Sequence, residues 1–255
     1  MKIGLFIPCY VDQFYPQVAK ATLALLDQLG CSVDYPLNQT CCGQPMANSG
    51  YAHLAGGCDE NFIRNFAGYD YVVSPSGSCT LHVKQHLHGH DAATDADAAA
   101  IRGRVYELTE FLTDVLNVNA LPIQSQVRPA GVRRPLRVGL HQSCHGQRGL
   151  HLSPMSELMG KQGVSKPARL IQMVDGLELV DLDRRDECCG FGGTFCVTEE
   201  AISSKMGKDR VADHLRHNVD VITGVDVSCL MHMEGILRRQ GSTVAVKHIS
   251  ELLAV

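Results

Sequence analysis

Two pairs of adjacent cysteines, each followed by glycine, are the residues of this chain best suited to chemistry: Cys41-Cys42-Gly43 and Cys188-Cys189-Gly190. Thiolates bind metals and carry redox chemistry. The start, MKIGLFIPCYVDQF, lacks the pattern of a signal peptide, so we expect a cytoplasmic location. In that reducing compartment the 11 cysteines are better interpreted as metal ligands or redox groups than as disulfides.

Both pairs belong to a longer repeat. The stretch KIGLFIPCY at 2–10 matches RVGLHQSCH at 137–145, and a Ser-Cys-x-x-His motif follows each pair. RVYELTEFL at 104–112 then matches AVKHISELL at 245–253. Four landmarks in the same order indicate an internal duplication. The duplication adds these residues to the two pairs: Cys9, Cys79 and His82 in the first copy, and Cys144, Cys229 and His232 in the second.

Strand and helix patterns alternate along both copies. This alternation predicts an α/β fold of two internally duplicated βαβ-type halves, with mainly parallel sheets and a pseudo-twofold relation. The segment 121–135, rich in Pro, Gly and Arg, is the natural boundary. We therefore expect a first cysteine-rich repeat at 1–120, a linker at 121–135 and a second cysteine-rich repeat at 136–255.

The predicted sheets would bring four cysteines of each half together, because ligands of open α/β sheets gather at the carboxyl ends of the strands. Directly adjacent cysteines suit a cluster of several irons better than one tetrahedral zinc ion, since each sulfur can bind a different iron. Gly43 and Gly190 would let the backbone pass close to such a cofactor. The expected metal ligands are Cys9, Cys41, Cys42, Cys79, Cys144, Cys188, Cys189 and Cys229.

The two motif sets resemble the cysteine-rich CCG domain found in heterodisulfide reductases and in the iron–sulfur subunits of glycolate oxidases. With SGSCTLHV, CCGFGGTF and VSCLMH, the whole chain is similar to the small subunits of three-protein iron–sulfur lactate dehydrogenase complexes. The resemblance implies a thiolate-bound cluster of [4Fe–4S] type and an electron-relaying role in oxidising L-lactate to pyruvate without NAD. It implies the other subunits as partners, with L-lactate bound on one of them.

The chain departs from the family pattern at one position in each half. The family has CxxC where this sequence has Ser76 and Asp226 before Cys79 and Cys229. Four cysteines remain per half instead of the five that hold the family's non-cubane cluster. A four-thiolate cluster, a single metal ion and a metal-free thiol site therefore stay open. We expect Asp226, His82 and His232 to support the ligands, with Asp226 also a potential oxygen ligand.

Composition narrows the function classes. A net charge of −4 argues against nucleic acid as a partner, and no apolar run reaches the roughly 18–20 residues that span a bilayer. Two alternatives remain: a non-catalytic, zinc-stabilised scaffold subunit of the same complex, and a metal-free protein for thiol–disulfide exchange of the heterodisulfide type. Cys31 and Cys58 are expected to pack as small apolar residues, and Cys196 has no counterpart in the first copy.

Overall fold

The fold is built on two four-stranded parallel sheets. The computed structural model describes residues 1–121, 134–158 and 163–254. The first sheet consists of β1 (Lys2–Leu5), β2 (Ser32–Asp34), β3 (Tyr71–Ser74) and β4 (Val105–Glu107), and the second of β5 (Leu136–His141), β6 (Leu177–Val180), β7 (Val221–Gly224) and β8 (Ala245–His248). Their orders, β2-β1-β3-β4 and β6-β5-β7-β8, are equivalent, and every neighbouring pair is parallel. The predicted α/β fold with two similar halves is confirmed.

Helices cover both sheets, as parallel sheets require. In the first half they are α1 (Cys9–Phe14), α2 (Pro16–Gln28), α3 (Gln44–Asn48), α4 (Gly56–Phe66), α5 (Gly77–His86), α6 (Ala92–Arg102) and α7 (Leu108–Glu110), with a 3₁₀ turn at Ala52–Leu54 and a π-helical turn at Phe111–Val115. The second half has a π-helical turn at His145–Gly149 and then α8 (Lys166–Gln172), α9 (Phe195–Thr198), α10 (Glu200–Arg216), α11 (Val227–Arg239) and α12 (Ile249–Leu253).

The halves exchange their last helices. Helix α12 packs on α2 of the first half, where the Ser250 hydroxyl donates to the Val18 carbonyl at 3.3 Å. Reciprocally, α7 packs on α8 of the second half, and just beyond it Lys166 forms a 2.6 Å ion pair with Asp114. One apolar core consequently contains residues from both sheets, including Leu5 of β1 and Leu140 of β5. This reciprocal packing is what a pseudo-twofold relation produces.

The predicted linker at 121–135 lies mostly outside the described residues, because 122–133 are not among them. The proposed repeat boundaries, 1–120 and 136–255, therefore stay a prediction. Among the residues that the structure describes, no helix combines the length and apolarity needed to cross a membrane.

Each half ends in the same strand-to-helix turn with a different N-cap residue. The Glu107 carboxylate accepts from the backbone N–H of Thr109 at 2.7 Å, whereas the His248 Nδ1 accepts from that of Ser250 at 3.2 Å. Both N-cap side chains are buried. Loss of solvent raises the pKa of Glu107 to about 8 and lowers that of His248 to about 4.

Candidate metal centres

The four motif cysteines of the first repeat lie towards the carboxyl ends of its strands. Cys9 begins α1 after β1, and Cys79 lies in the first turn of α5 after β3. Cys41 and Cys42 occupy the loop before α3, where Cys41 contacts Cys9 and Cys42 contacts Cys79. Strands β1 and β3 are adjacent, so these sulfurs occupy the switch point at which open α/β sheets bind ligands.

The first-half sulfurs form a chain of contacts. The Sγ atoms of Cys9 and Cys41 are 3.6 Å apart. The thiol of Cys42 interacts with the sulfurs of both Cys41 and Cys79, and all four cysteines are free. The pKa of Cys41 is lowered, because the thiols of Cys42 and Cys9 and the backbone N–H of Gly43 donate to its sulfur. The pKa of Cys9 and Cys42 is raised as a result. A thiolate held between two thiols is ready to bind a metal ion, which would displace the protons of the neighbouring thiols.

The second repeat reproduces this chain. The free thiol of Cys144 interacts with Cys188, Cys188 with Cys189, and Cys189 with Cys229. The pKa of Cys188 is lowered by hydrogen bonds from Cys144 and Cys189 and from the Gly190 N–H, which lies 3.3 Å from the Cys188 Sγ. The two halves thus present the same four sulfurs in the same order of contact.

The glycine after each pair has a backbone conformation that other residues rarely adopt. Gly43 has φ of +87° and Gly190 has φ of +85°. A Cβ at Gly43 would lie 3.2 Å from the Ala55 Cβ, whereas one at Gly190 would lie 2.7 Å from the Ser203 carbonyl oxygen. Both turns therefore need glycine for φ, and the second also needs it for space.

Both sulfur chains open onto one cavity of about 560 Å³ between the halves. Its lining includes cysteines from both repeats, with aromatic and polar groups such as Tyr10, His145 and Phe191. Tyr10 and His145 occupy equivalent positions, directly after the first cysteine of each copy. The sequence predicted two sites but not that they would share a cavity, which depends on how the halves pack.

Asp226 and Ser76, the two departures from the family pattern, lie where the halves meet. Asp226 is buried and accepts from the Ser78 N–H at 2.8 Å, the Ser78 hydroxyl at 3.0 Å and the Ser228 hydroxyl at 3.2 Å. Ser76 caps α5 of its own half through the Cys79 N–H. Asp226 thus caps the helix of the opposite half, an arrangement that sequence reasoning did not predict.

The two histidines of the repeated motif lie beside the CCG turns. The His82 Nε2 is 3.7 Å from the position of a Cβ at Gly43, and the His232 Nε2–H donates to the Ser203 carbonyl at 3.4 Å. Burial lowers the pKa of His82 to about 4 and lowers that of His232 as well. Neither imidazole makes a sulfur contact among the hydrogen bonds described, so their supporting role stays a prediction.

His141, absent from the predicted ligand set, lies closest to such a role. It is 1% exposed, and one of its ring nitrogens lies within 4.8 Å of the Sγ atoms of Cys189 and Cys229. Among the described residues neither ring nitrogen has a hydrogen-bond partner. This cysteine and histidine group can hold a metal ion. The available signal was the alignment of the repeats, in which His141 replaces Phe6.

The remaining cysteines fall into two groups. Cys31 packs in the apolar core, as expected, and Cys58 is half-buried in α4. Cys196 lines the shared cavity, and its thiol donates to the Gly193 carbonyl at 3.1 Å. Sequence reasoning set Cys196 aside because the first copy has no cysteine there, but packing brings it to the cavity.

Comparison with known proteins agrees with this duplicated arrangement. The cysteine-rich domain called CCG matches twice, at residues 3–84 and 138–234. Lactate utilization protein A of Geobacillus thermodenitrificans and that of Geobacillus kaustophilus are each 40% identical over 255 residues, covering 99% of this chain and 98% of theirs. The Bacillus subtilis protein of the same name is 39% identical over 99% of both chains. The chain, with its two cysteine-rich CCG domains, therefore belongs to the lactate utilization protein A family.

Proposed function

We propose that this chain is a cytoplasmic redox subunit of an L-lactate-oxidising complex, with one thiolate-bound iron–sulfur site in each half. The observation that carries the proposal is the same order of contact among four sulfurs in both repeats, which open onto one cavity. The names of the relatives supply the link to lactate utilization. The other subunits of the complex are the partners, and one of them binds L-lactate.

The donor set fits an iron–sulfur cluster. Four sulfurs are available in each half, and the adjacent pairs let neighbouring sulfurs reach different irons. Among the described residues both ring nitrogens of His141 are without a hydrogen-bond partner, and one of them lies within 4.8 Å of Cys189 and Cys229, as expected of a buried metal ligand or a donor to a bound group. A bound cluster of this type would supply one-electron chemistry.

The protein's own groups set the conditions around the sulfurs. Apolar side chains such as Val11, Val227 and Phe191 line the cavity and limit water near the thiolates. Asp226 ties the first turn of α5 to the start of α11 and so fixes the distance between Cys79 and Cys229. Tyr10 and His145 place one phenol and one imidazole in the cavity, where each can donate a hydrogen bond to a guest molecule.

Anaerobic purification of the full chain with its partner subunits tests the proposal. We expect a broad visible absorption that dithionite bleaches and that L-lactate bleaches in the assembled complex. Cys189→Ser should weaken this absorption, and Cys31→Ala, which alters a cysteine far from the cavity lining, is the matched control. A colourless wild-type protein without iron or sulfide would overturn the proposal.

A specific observation favours each alternative. Ser76 and Asp226 stand where the family pattern has cysteine, and both accept hydrogen bonds from backbone N–H groups. Each half is left with four motif sulfurs, the number of ligands that a structural zinc ion takes. One zinc per half would identify a scaffold subunit. The 3.6 Å approach of Cys9 to Cys41 favours thiol–disulfide exchange. Metal-free protein that gains two thiols per half on reduction would identify that chemistry.

A further inference from the structure

Behind the first sulfur chain lies a cluster of three phenylalanines. The ring centroids of Phe6 and Phe62 are 4.9 Å apart, those of Phe62 and Phe66 are 4.6 Å apart, and those of Phe6 and Phe66 are 5.8 Å apart. All three side chains are buried, and they pack in the same apolar cluster as Cys42. The three phenyl rings offer the sulfurs no charge and no conventional hydrogen-bond donor.

The equivalent place in the second half is polar. The repeat aligns Phe6 with His141. A Cβ at Gly4 of β1 would meet Phe66, and one at the matching Gly139 of β5 would meet His214. One helical turn earlier, α4 carries Phe62 and α10 carries Arg210. The three phenylalanines are thus replaced by His141, Arg210 and His214.

Arg210 brings a positive charge into the interior. Its side chain is 0% exposed, and its Nη1 donates to the Arg184 carbonyl at 2.5 Å and to Asp213 at 3.0 Å. Asp213 also pairs with Arg216 at 3.0 Å, so one carboxylate serves two guanidinium groups. The Nε and Nη2 of Arg210 have no hydrogen-bond partner among the described residues. These N–H groups are uncompensated donors in a buried site.

The polar cluster acts on the second sulfur chain at short range. His141 lies within 4.8 Å of Cys189 and Cys229, and burial together with the charge of Arg210 lowers the pKa of both His141 and His214. Burial lowers the pKa of Arg210, and its pairing with Asp213 opposes that shift. The first half has no described counterpart, since its Phe6, Phe62 and Phe66 carry no charge.

We propose that His141, Arg210 and His214 make the second-half site easier to reduce than the first-half site. The inference rests on the proposed iron–sulfur function and goes beyond it, because it makes the two equivalent ligand sets functionally unequal. One-electron reduction adds one negative charge to a site. A buried guanidinium within electrostatic reach of Cys189, together with an imidazole within 4.8 Å of two sulfurs, stabilises that added charge and raises the reduction potential.

Redox titrations of single-site variants measure this difference. In the full chain, reconstituted anaerobically with iron and sulfide, Cys42→Ser isolates the second-half site and Cys189→Ser isolates the first-half site. The midpoint potential, followed by visible absorption and electron paramagnetic resonance, should be higher in the Cys42→Ser protein than in the Cys189→Ser protein.

Charge variants in the Cys42→Ser background separate electrostatics from packing. Arg210→Met should lower the midpoint potential, Arg210→Lys should retain most of it, and Asp213→Asn should raise it. These opposite signs follow from charge alone, and either member of the pair suffices if the other does not fold. Phe62→Met in the Cys189→Ser background is the matched control and should leave the first-half potential unchanged.

The outcomes distinguish the two levels of the proposal. Equal potentials in the two single-site proteins, or a potential that does not respond to Arg210→Met and Asp213→Asn, would overturn this inference and leave the proposed function intact. Absence of iron and sulfide from the wild-type protein would overturn the proposed function and this inference with it.

Discussion

The two halves share the order of their sulfur contacts and differ in what packs behind the sulfurs. In both, the sulfurs follow the same order of contact and open onto one cavity. Behind them stands Phe6 with two further phenylalanines in the first half, and His141 with Arg210 and His214 in the second. The difference teaches that a duplicated site can keep its ligands while its surroundings diverge.

The largest expected effect is the loss of metal from one half. Cys42→Ser and Cys189→Ser should each remove about half of the iron, because each change breaks the middle of one sulfur chain. Iron and sulfide quantitation of the anaerobically reconstituted protein measures this loss. Cys31→Ala, in the apolar core, should retain all the iron. Loss of all iron from either serine variant would show one joint site in place of two.

The next largest effect is the difference in stability between the variants of the two glycine turns. Gly43→Ala should cost about 1–2 kcal/mol, because alanine is strained in a left-handed conformation. Gly190→Ala adds a contact of 2.7 Å with backbone, so its destabilisation should be at least twice as large. Denaturant unfolding of the two metal-free variants measures both values. Equal losses would show that the second turn relaxes and that the steric difference has no energetic weight.

The N-cap residues should respond oppositely to pH. Burial raises the pKa of Glu107 from 4.5 to about 8, so folding favours its protonated form. That contribution is fully present below about pH 4.5 and decreases by up to about 1.4 kcal/mol per pH unit as the pH rises towards 8. Glu107→Gln should therefore gain stability relative to wild type between pH 5 and pH 8. If the free energy of unfolding depended on pH equally in Glu107→Gln and the wild type, burial would not shift the pKa of Glu107.

His248 provides the matched comparison for Glu107. Its pKa is lowered to about 4, so folding favours the neutral ring, and the contribution is present above its ordinary pKa of 6.5. It is lost as the pH falls from 6.5 towards 4. His248→Asn retains an acceptor for the Ser250 N–H but has no group that titrates in this range. Between pH 7 and pH 4.5 its free energy of unfolding should therefore fall less than that of the wild type.

The smallest expected effect concerns the two serines that meet Asp226. Ser78→Ala removes a buried hydroxyl bond of 3.0 Å across the halves and should cost about 1–2 kcal/mol. Ser228→Ala removes a half-buried bond of 3.2 Å within one half and should cost less. Unfolding of the two variants under one condition gives the order. A larger loss for Ser228→Ala would contradict the role of Asp226 as a link between the halves.

The sequence predicted the local arrangement better than the arrangement between the halves. Repeated strand patterns ending at Cys9 and Cys144 were sufficient to predict two parallel sheets, because strand position and helix alternation are local properties. The contact between Asp226 and Ser78 joins residues 148 positions apart and depends on packing across the halves. The shared cavity depends on the same packing, so periodicity carried no signal for it.

The polar cluster of the second half shows a different limit. The repeat alignment placed His141 opposite Phe6, yet an isolated histidine is most often a packing or surface residue. Its significance became visible only when α10 placed Arg210 and His214 beside it, because the packing of α10 on β5 cannot be read from the repeat alignment. The assignment of the eight cysteines as ligands stays a prediction.

Quantitation of iron, sulfide and zinc in the anaerobically purified wild-type chain tests the central claim most directly. Two cysteine sets with the same order of contact predict iron and acid-labile sulfide in comparable amounts, with zinc far below one ion per half. One zinc per half without sulfide, or no metal at all, would contradict the claim that the two repeats hold a pair of iron–sulfur sites.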